Sequence, residues 1–163
     1  MDFNISALKK RNEIIQQLTG IKTTNISISG RAGMGSSVSG ALSLTYDYYG
    51  NLAFQLNVNG GGGTPGLGWS GALLWTEAAS YKDLEGYGGV VGGSFSPGLN
   101  IGYDQIFISN NTGSIISLGP GINLPFTAFL EAHGEAGNTW TIWKINLYDF
   151  FEDLKFKDTQ ECN

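Results

Sequence analysis

What most constrains this chain is where its glycines fall. Of 25 glycines, 24 lie between Gly30 and Gly137. They interrupt runs in which polar and apolar side chains alternate. In the stretch from Ser37 to Tyr48 the period is two, so Val38, Leu42, Leu44, Tyr46 and Tyr48 share one face, opposite Ser37, Ser39, Ser43, Thr45 and Asp47. Leu52, Phe54, Leu56 and Val58 oppose Ala53, Gln55, Asn57 and Asn59 in the same way. Glycine inside a strand costs stability and marks a bend, a bulge or a close backbone approach. A β-rich chain that keeps so many glycines reads as a curved sheet that closes on itself. The fold class expected is mainly β, a single Gly-rich antiparallel meander closing into a barrel of about 8–10 strands.

Three segments follow. Residues 1–24 read as an N-terminal amphipathic helix. Asn4 or Ser6 caps it, Ile5, Leu8, Ile15 and Leu18 share a face, and Gly20 suits the position after its last turn. Residues 25–147 read as the antiparallel β-barrel. Residues 148–163 read as a short C-terminal helix over 148–157 and a disordered tail. Within the barrel, about nine strands are expected, near 25–34, 37–48, 52–59, 67–76, 88–96, 99–109, 114–123, 126–134 and 138–147. Tyr49-Gly50-Asn51 and Asn110-Asn111-Thr112-Gly113 carry hairpin-turn chemistry, and Gly60 to Gly66 reads as a flexible link. Connections this short favour antiparallel neighbours in sequence order.

The polar faces consist of Ser, Thr, Asn and Gln. Charged residues make up 14% of the chain, against roughly 25% in an ordinary soluble domain. The net charge of −5 excludes a nucleic-acid binder, which needs basic surface to displace counterions. It also excludes docking on anionic lipid by charge alone. Cys162 is the single cysteine, so no intramolecular disulfide and no cysteine-based zinc site can form. Met1 to Gly20 contains no apolar signal-peptide region, because polar residues intersperse Ile14, Ile15 and Leu18. The expectation is therefore secretion without a cleavable signal peptide, or association with a membrane. No apolar run is long enough for a transmembrane helix, a test that a transmembrane β-barrel escapes.

Few motifs carry chemistry. Gly30-Arg31-Ala32-Gly33-Met34-Gly35-Ser36-Ser37 has the outline of a phosphate loop, but it lacks the lysine and leads into a strand. Glu131, His133 and Glu135 alternate, so they project from one face of a strand. One histidine between two carboxylates has the elements of a base with an orienting group, and these three are the candidate catalytic residues. The alternative is a polar strand end at the barrel rim. No Gly-x-Ser-x-Gly elbow is present, and no serine is singled out as a partner for His133. No metal site and no cofactor are expected.

Aromatic residues are more suggestive. Trp69, Trp75, Trp140, Trp143, Tyr46 and Tyr48 fall largely near strand ends. Such residues contact a ligand, form an interfacial girdle on a membrane barrel, or pack across strands.

Asn100-Ile101-Gly102-Tyr103-Asp104, then Gly119-Pro120-Gly121-Ile122-Asn123-Leu124-Pro125, then Ala132-His133-Gly134, resembles a Gly-rich β module in the C-terminal regions of bacterial polymorphic toxins, including Rhs-type proteins. The resemblance covers residues 25–147 and rests on patterning. It implies a bacterial origin and a role in antagonism between bacteria, and it carries no catalytic residues over. The chain departs from that family by being short and by lacking an Rhs core.

The leading functional expectation is a non-enzymatic, membrane-active β-barrel, a toxin or pore former whose partner is membrane lipid. The alternatives are a soluble barrel that binds a small apolar or sugar ligand, a self-assembling structural β protein that pairs with its own copies, and an enzyme centred on His133.

Overall fold

The computed structural model describes residues 5–95, 99–123 and 130–160. Eight strands form one closed antiparallel barrel: β1 (Thr23–Met34), β2 (Ser36–Tyr46), β3 (Asn51–Gly63), β4 (Gly66–Thr76), β5 (Gly86–Phe95), β6 (Leu99–Ile108), β7 (Asn111–Asn123) and β8 (Leu130–Asn146). Helix α1 (Ile5–Thr19) precedes the barrel and helix α2 (Leu147–Gln160) follows it. A short 3-10 helix, Tyr81–Leu84, lies between β4 and β5. The two last strands expected from sequence are one, β8. Gly134 and Gly137 do not turn the chain there but pair with Gly62 and Asn59 of β3. Residues 126–129 of that expectation, residues 161–163 of the tail with Cys162, and the capping candidate Asn4 lie outside the described residues.

Strand order corrects the meander. Around the wall the strands run β1-β2-β3-β8-β5-β6-β7-β4. Each half is a Greek key, with spatial orders 4-1-2-3 and 8-5-6-7. The β3–β4 connection is as short as a hairpin but does not make one. It crosses the tip of the β1–β2 hairpin, where the Gly63 N–H donates to the Gly35 carbonyl at 3.0 Å. Only Thr64 and Pro65 separate β3 from β4, so the expected Gly60–Gly66 flexible link is mostly strand. Glycine makes the crossing possible. A Cβ at Gly33 would lie 2.6 Å from the Ser36 carbonyl, and one at Gly63 would lie 2.7 Å from the Ala132 carbonyl.

The barrel has two unlike ends. The hairpin end carries the Met34-Gly35-Ser36 tip and the Thr64-Pro65 crossing. The terminal end carries both helices, the turns at 47–50 and 109–110, and the 77–85 segment. The compact apolar core sits inside the barrel at this terminal end: Leu74, Ala78, Leu84, Ile106 and Ile108, with Val90 and Ile115 against them. The 77–85 segment is stitched into the barrel mouth. Thr23 Oγ1 donates to the Ala78 carbonyl at 2.6 Å, Tyr81 N–H donates to Asp47 Oδ2 at 3.1 Å, and Gln55 Nε2 donates to the Tyr81 carbonyl at 3.1 Å. A reciprocal cap between Ser80 and Asp83 fixes the 3-10 turn. Its buried Tyr81 and Leu84 act as a stopper.

Helix α1 buries no residue. It docks through Asn12, whose Nδ2 donates to the hydroxyls of Tyr46 and Tyr148, each at 2.9 Å. Lys9 Nζ lies 5.1 Å from the Tyr148 ring centroid. Gly20 ends the helix with φ +72°, and its N–H donates to the Gln16 carbonyl at 2.8 Å.

Candidate functional site

Strand alternation decides what each face presents. On β1, Thr23, Asn25, Ser27, Ser29 and Arg31 point inward, while Ile26, Ile28 and Met34 point outward and are exposed. On β2, Ser37, Ser39, Ser43 and Thr45 point inward, and Val38, Leu42 and Leu44 outward. On β3, Gln55, Asn57 and Asn59 face the lumen, which also receives Ser70, Ser94, Asn100, Asp104, Ser117, Glu131, His133 and Glu135 from the later strands. Polar in and apolar out is the reverse of a soluble barrel. The molecule exposes 9810 Å², whereas a compact monomer of this mass exposes about 7,900 Å².

Charge follows the same inversion. The strands hold six Asp, Glu, Lys, Arg or His residues: Arg31, Asp104, Glu131, His133, Glu135 and Lys144. The first five point into the lumen, and Lys144 lies at the terminal end of β8. The outer wall between the barrel ends therefore carries no charged side chain among the described residues.

The five luminal groups converge toward the hairpin end. Arg31 Nε donates to Glu135 Oε1 at 2.8 Å, and Arg31 Nη1 pairs with Glu131 Oε1. Glu135 also accepts from Ser37 Oγ at 2.7 Å and from Ser39 Oγ. Glu131 also accepts from Ser94 Oγ at 2.9 Å. His133 Nε2 lies 3.3 Å from Asp104 Oδ1, and His133 Nδ1 lies 3.8 Å from Glu131 Oε1. These histidine contacts have ion-pair distance without hydrogen-bond alignment, and Arg31 Nη2, Asn100 Oδ1, Asp104 Oδ1 and His133 Nδ1 have no hydrogen-bond partner among the described residues. Two of those atoms press against glycine backbone. A Cβ at Gly92 would collide with Asp104 Oδ1, and one at Gly63 with Arg31 Nη2.

A cavity of 220 Å³ runs through the lumen from this cluster to Leu74, Leu84, Ile106 and Ile108. Its walls between the two are small and hydrogen-bonding. Asn57 Nδ2 donates to Thr139 Oγ1 at 3.0 Å, Asn59 Nδ2 to Asn57 Oδ1 at 2.6 Å, Asn25 Nδ2 to Thr45 Oγ1 at 2.8 Å, and Thr45 Oγ1 to Gln55 Oε1 at 2.7 Å. Chemically, the middle of the lumen is a polar lining whose amides and hydroxyls pair with one another, and the unpartnered polar atoms belong to the charged cluster and Asn100 beside it.

Glu131, His133 and Glu135 thus share one face, as their alternation requires. Both glutamates are engaged by Arg31 and by serine hydroxyls. Sequence reading missed Arg31, Asp104, Ser37, Ser39 and Ser94 as their partners. The signal for Arg31 was present, since it falls in phase with Asn25, Ser27 and Ser29. The rejected phosphate loop is the β1–β2 hairpin that carries Arg31 inward. Among the described residues, no three of His, Cys, Asp and Glu are placed to hold a metal ion.

The aromatic candidates lie on the outside. Trp69, Trp140 and Trp143 are exposed, and Trp75 and Tyr46 are half-buried on the same outer face. Tyr46 and Trp75 flank Thr24 in register. With Tyr87, Phe107 and Trp143 they circle the terminal end of the wall. Tyr48 lies in the turn below, edge-on to Tyr49 at 5.5 Å between centroids. No described helix is long and apolar enough to cross a membrane. Comparison with protein-family models, with curated proteins and with solved structures finds no match to this chain.

Proposed function

We propose that this chain is a membrane-active β-barrel that resides in a lipid bilayer, with acyl chains against its outer wall. The observation that carries this is the inversion of charge: five luminal ionisable groups behind a wall that bears none. Water gives no reason to bury Arg31, Glu131 and Glu135 while exposing Ile26, Ile28, Val38, Leu67 and Leu118. Hydrocarbon gives a direct one, because each charge facing lipid at mid-depth costs about 2–4 kcal/mol. The dimensions agree. Thr24 to Met34 spans about 33 Å along the strand, which at a tilt of about 40° is a band about 25 Å tall. Trp75, Trp143, Tyr46 and Tyr87 form an aromatic ring at one edge of that band.

An eight-stranded barrel is too narrow for an aqueous channel, and Leu84 and Tyr81 stopper the lumen. Membrane activity here means residence in lipid, not conduction through one copy. Action on a bacterial competitor, which the resemblance to Rhs-type modules implies, adds a target to this reading.

Flotation tests it. Protein diluted from urea into phosphatidylcholine vesicles is expected to float with them, with heat-resistant β circular dichroism. A monodisperse monomer in detergent-free buffer that stays at the bottom of the gradient overturns the proposal. A large homo-oligomer that does not float supports self-assembly instead, with copies covering the same wall. The lumen supports a further reading, a small polar ligand of the sugar class held by Asn25, Asn57 and Asn59, and calorimetric titration with simple sugars checks it.

A further inference from the structure

The inference here rests on the membrane reading above and gives it a direction. Outside the lumen, every described Lys, Arg, Asp and Glu lies at the terminal end: on α1, at Lys22 and Asp47, on the 77–85 segment, at Lys144 and on α2. Between Lys22 and Lys144 the sequence has charged residues only at positions 31, 47, 77, 82, 83, 85, 104, 131 and 135. Positions 31, 104, 131 and 135 point into the lumen, and the other five are at the terminal end. The hairpin end exposes Met34 at 83%, Leu130 at 74%, Leu99 at 51% and Phe95 at 50% instead. Outward Tyr46, Trp75, Tyr87 and Trp143 ring the terminal edge of the wall, where amphipathic rings prefer the lipid–water boundary, and Trp69, Trp140 and Tyr103 stand on the wall between the two ends.

We infer that the barrel enters a bilayer hairpin end first and keeps its terminal end on the side from which it came. The partner is the bilayer itself, without a requirement for anionic headgroups. The leading end presents Met, Leu and Phe to the hydrocarbon and carries its charges folded inside, paired through Arg31. The trailing end must stay in water, because α1 carries Lys9, Lys10, Arg11 and Glu13 and α2 carries Asp149, Glu152 and Asp153. The stopper formed by Tyr81 and Leu84 faces the side of entry.

Site-directed labelling tests this. In a Cys162→Ser background, Met34→Cys reports the hairpin end and Lys82→Cys the terminal end. Each protein is added to preformed phosphatidylcholine vesicles, floated, and treated from outside with a membrane-impermeant maleimide. Lys82→Cys is expected to react fully. Met34→Cys is expected to react only after detergent, with the two differing by about a hundredfold, because carrying even one charged side chain through hydrocarbon disfavours the opposite orientation by that factor. Leu130→Cys serves as a second reporter should Met34→Cys fail to fold. Flotation with equal labelling at both ends, or with the hairpin end labelled first, overturns the inference and leaves the membrane reading standing. Absence of flotation overturns both.

Discussion

Ile28→Lys separates a wall in lipid from a wall in water. Ile28 is 68% exposed, faces outward from β1, and lies opposite Leu42 on β2 and Gly71 on β4. It stands four residues from Thr24 and six from Met34, close to the middle of the apolar band. In water such a substitution on an exposed strand position changes stability by about 0.5 kcal/mol or less. At bilayer mid-depth a lysine facing lipid costs about 2–4 kcal/mol, and near the interface only about 0–1 kcal/mol. The matched control is therefore Thr24→Lys, on the same strand and face at the terminal edge. The assay is urea titration of the barrel folded into phosphatidylcholine vesicles, followed by the fluorescence of Trp69, Trp140 and Trp143. A loss of about 2–4 kcal/mol is a factor of about 30 to 900 in the folded-to-unfolded ratio. With a slope of about 2 kcal/mol/M, the midpoint falls by about 1–2 M. If Ile28→Lys costs no more than Thr24→Lys, depth has no meaning for this wall and the argument from charge inversion is refuted.

Further outcomes follow from the interior. Arg31→Met leaves Glu131 and Glu135 without their cation and is expected to destabilise the barrel by about 3–5 kcal/mol in the same titration. Arg31→Lys should recover only part of this, since a point charge cannot reproduce a guanidinium that spans two glutamates. Gly137→Ala places a methyl 2.6 Å from Asn59 Cα and should cost about 1–3 kcal/mol. Gly30→Ala, whose Cβ meets nothing closer than 3.9 Å, should be neutral or stabilise by up to about 1 kcal/mol. Tyr148 is held above the ordinary value of 10.0, first by burial and then by the Tyr46 hydroxyl beside it. Docking of α1 onto Tyr148 of α2 therefore keeps its full strength below pH 10 and weakens as pH rises beyond it. Proteolysis of α1 as a function of pH checks this, and Tyr148→Phe should abolish the pH dependence.

The period-two alternation marked β1 to β7, the contents of their faces and an antiparallel barrel, but split β8 in two at its glycines. Gly20 marked the end of α1 for a local reason, its left-handed conformation. Even the shared face of Glu131, His133 and Glu135 follows from spacing alone. What alternation leaves open is which face turns inward, because both faces of a strand are equivalent until the sheet closes. Closure put Ser, Asn and Arg31 inside and left Ile28 and Leu42 outside. Topology was equally hidden. The two-residue step from Gly63 to Gly66 has the length of a hairpin, and only the presence of the Met34-Gly35-Ser36 tip beneath it makes that step a crossing. The partners of Arg31 lie 100 and 104 positions away in sequence, at Glu131 and Glu135, so no local pattern could join them. The sequence by itself determined a barrel and the contents of its two faces. The tertiary structure decided that the charged face is the inner one, since closing the sheet around Arg31 brings it to Glu131 and Glu135 across the lumen, whereas closing it the other way would turn Arg31 out with the Ser and Asn side chains and pack Ile28 and Leu42 inside.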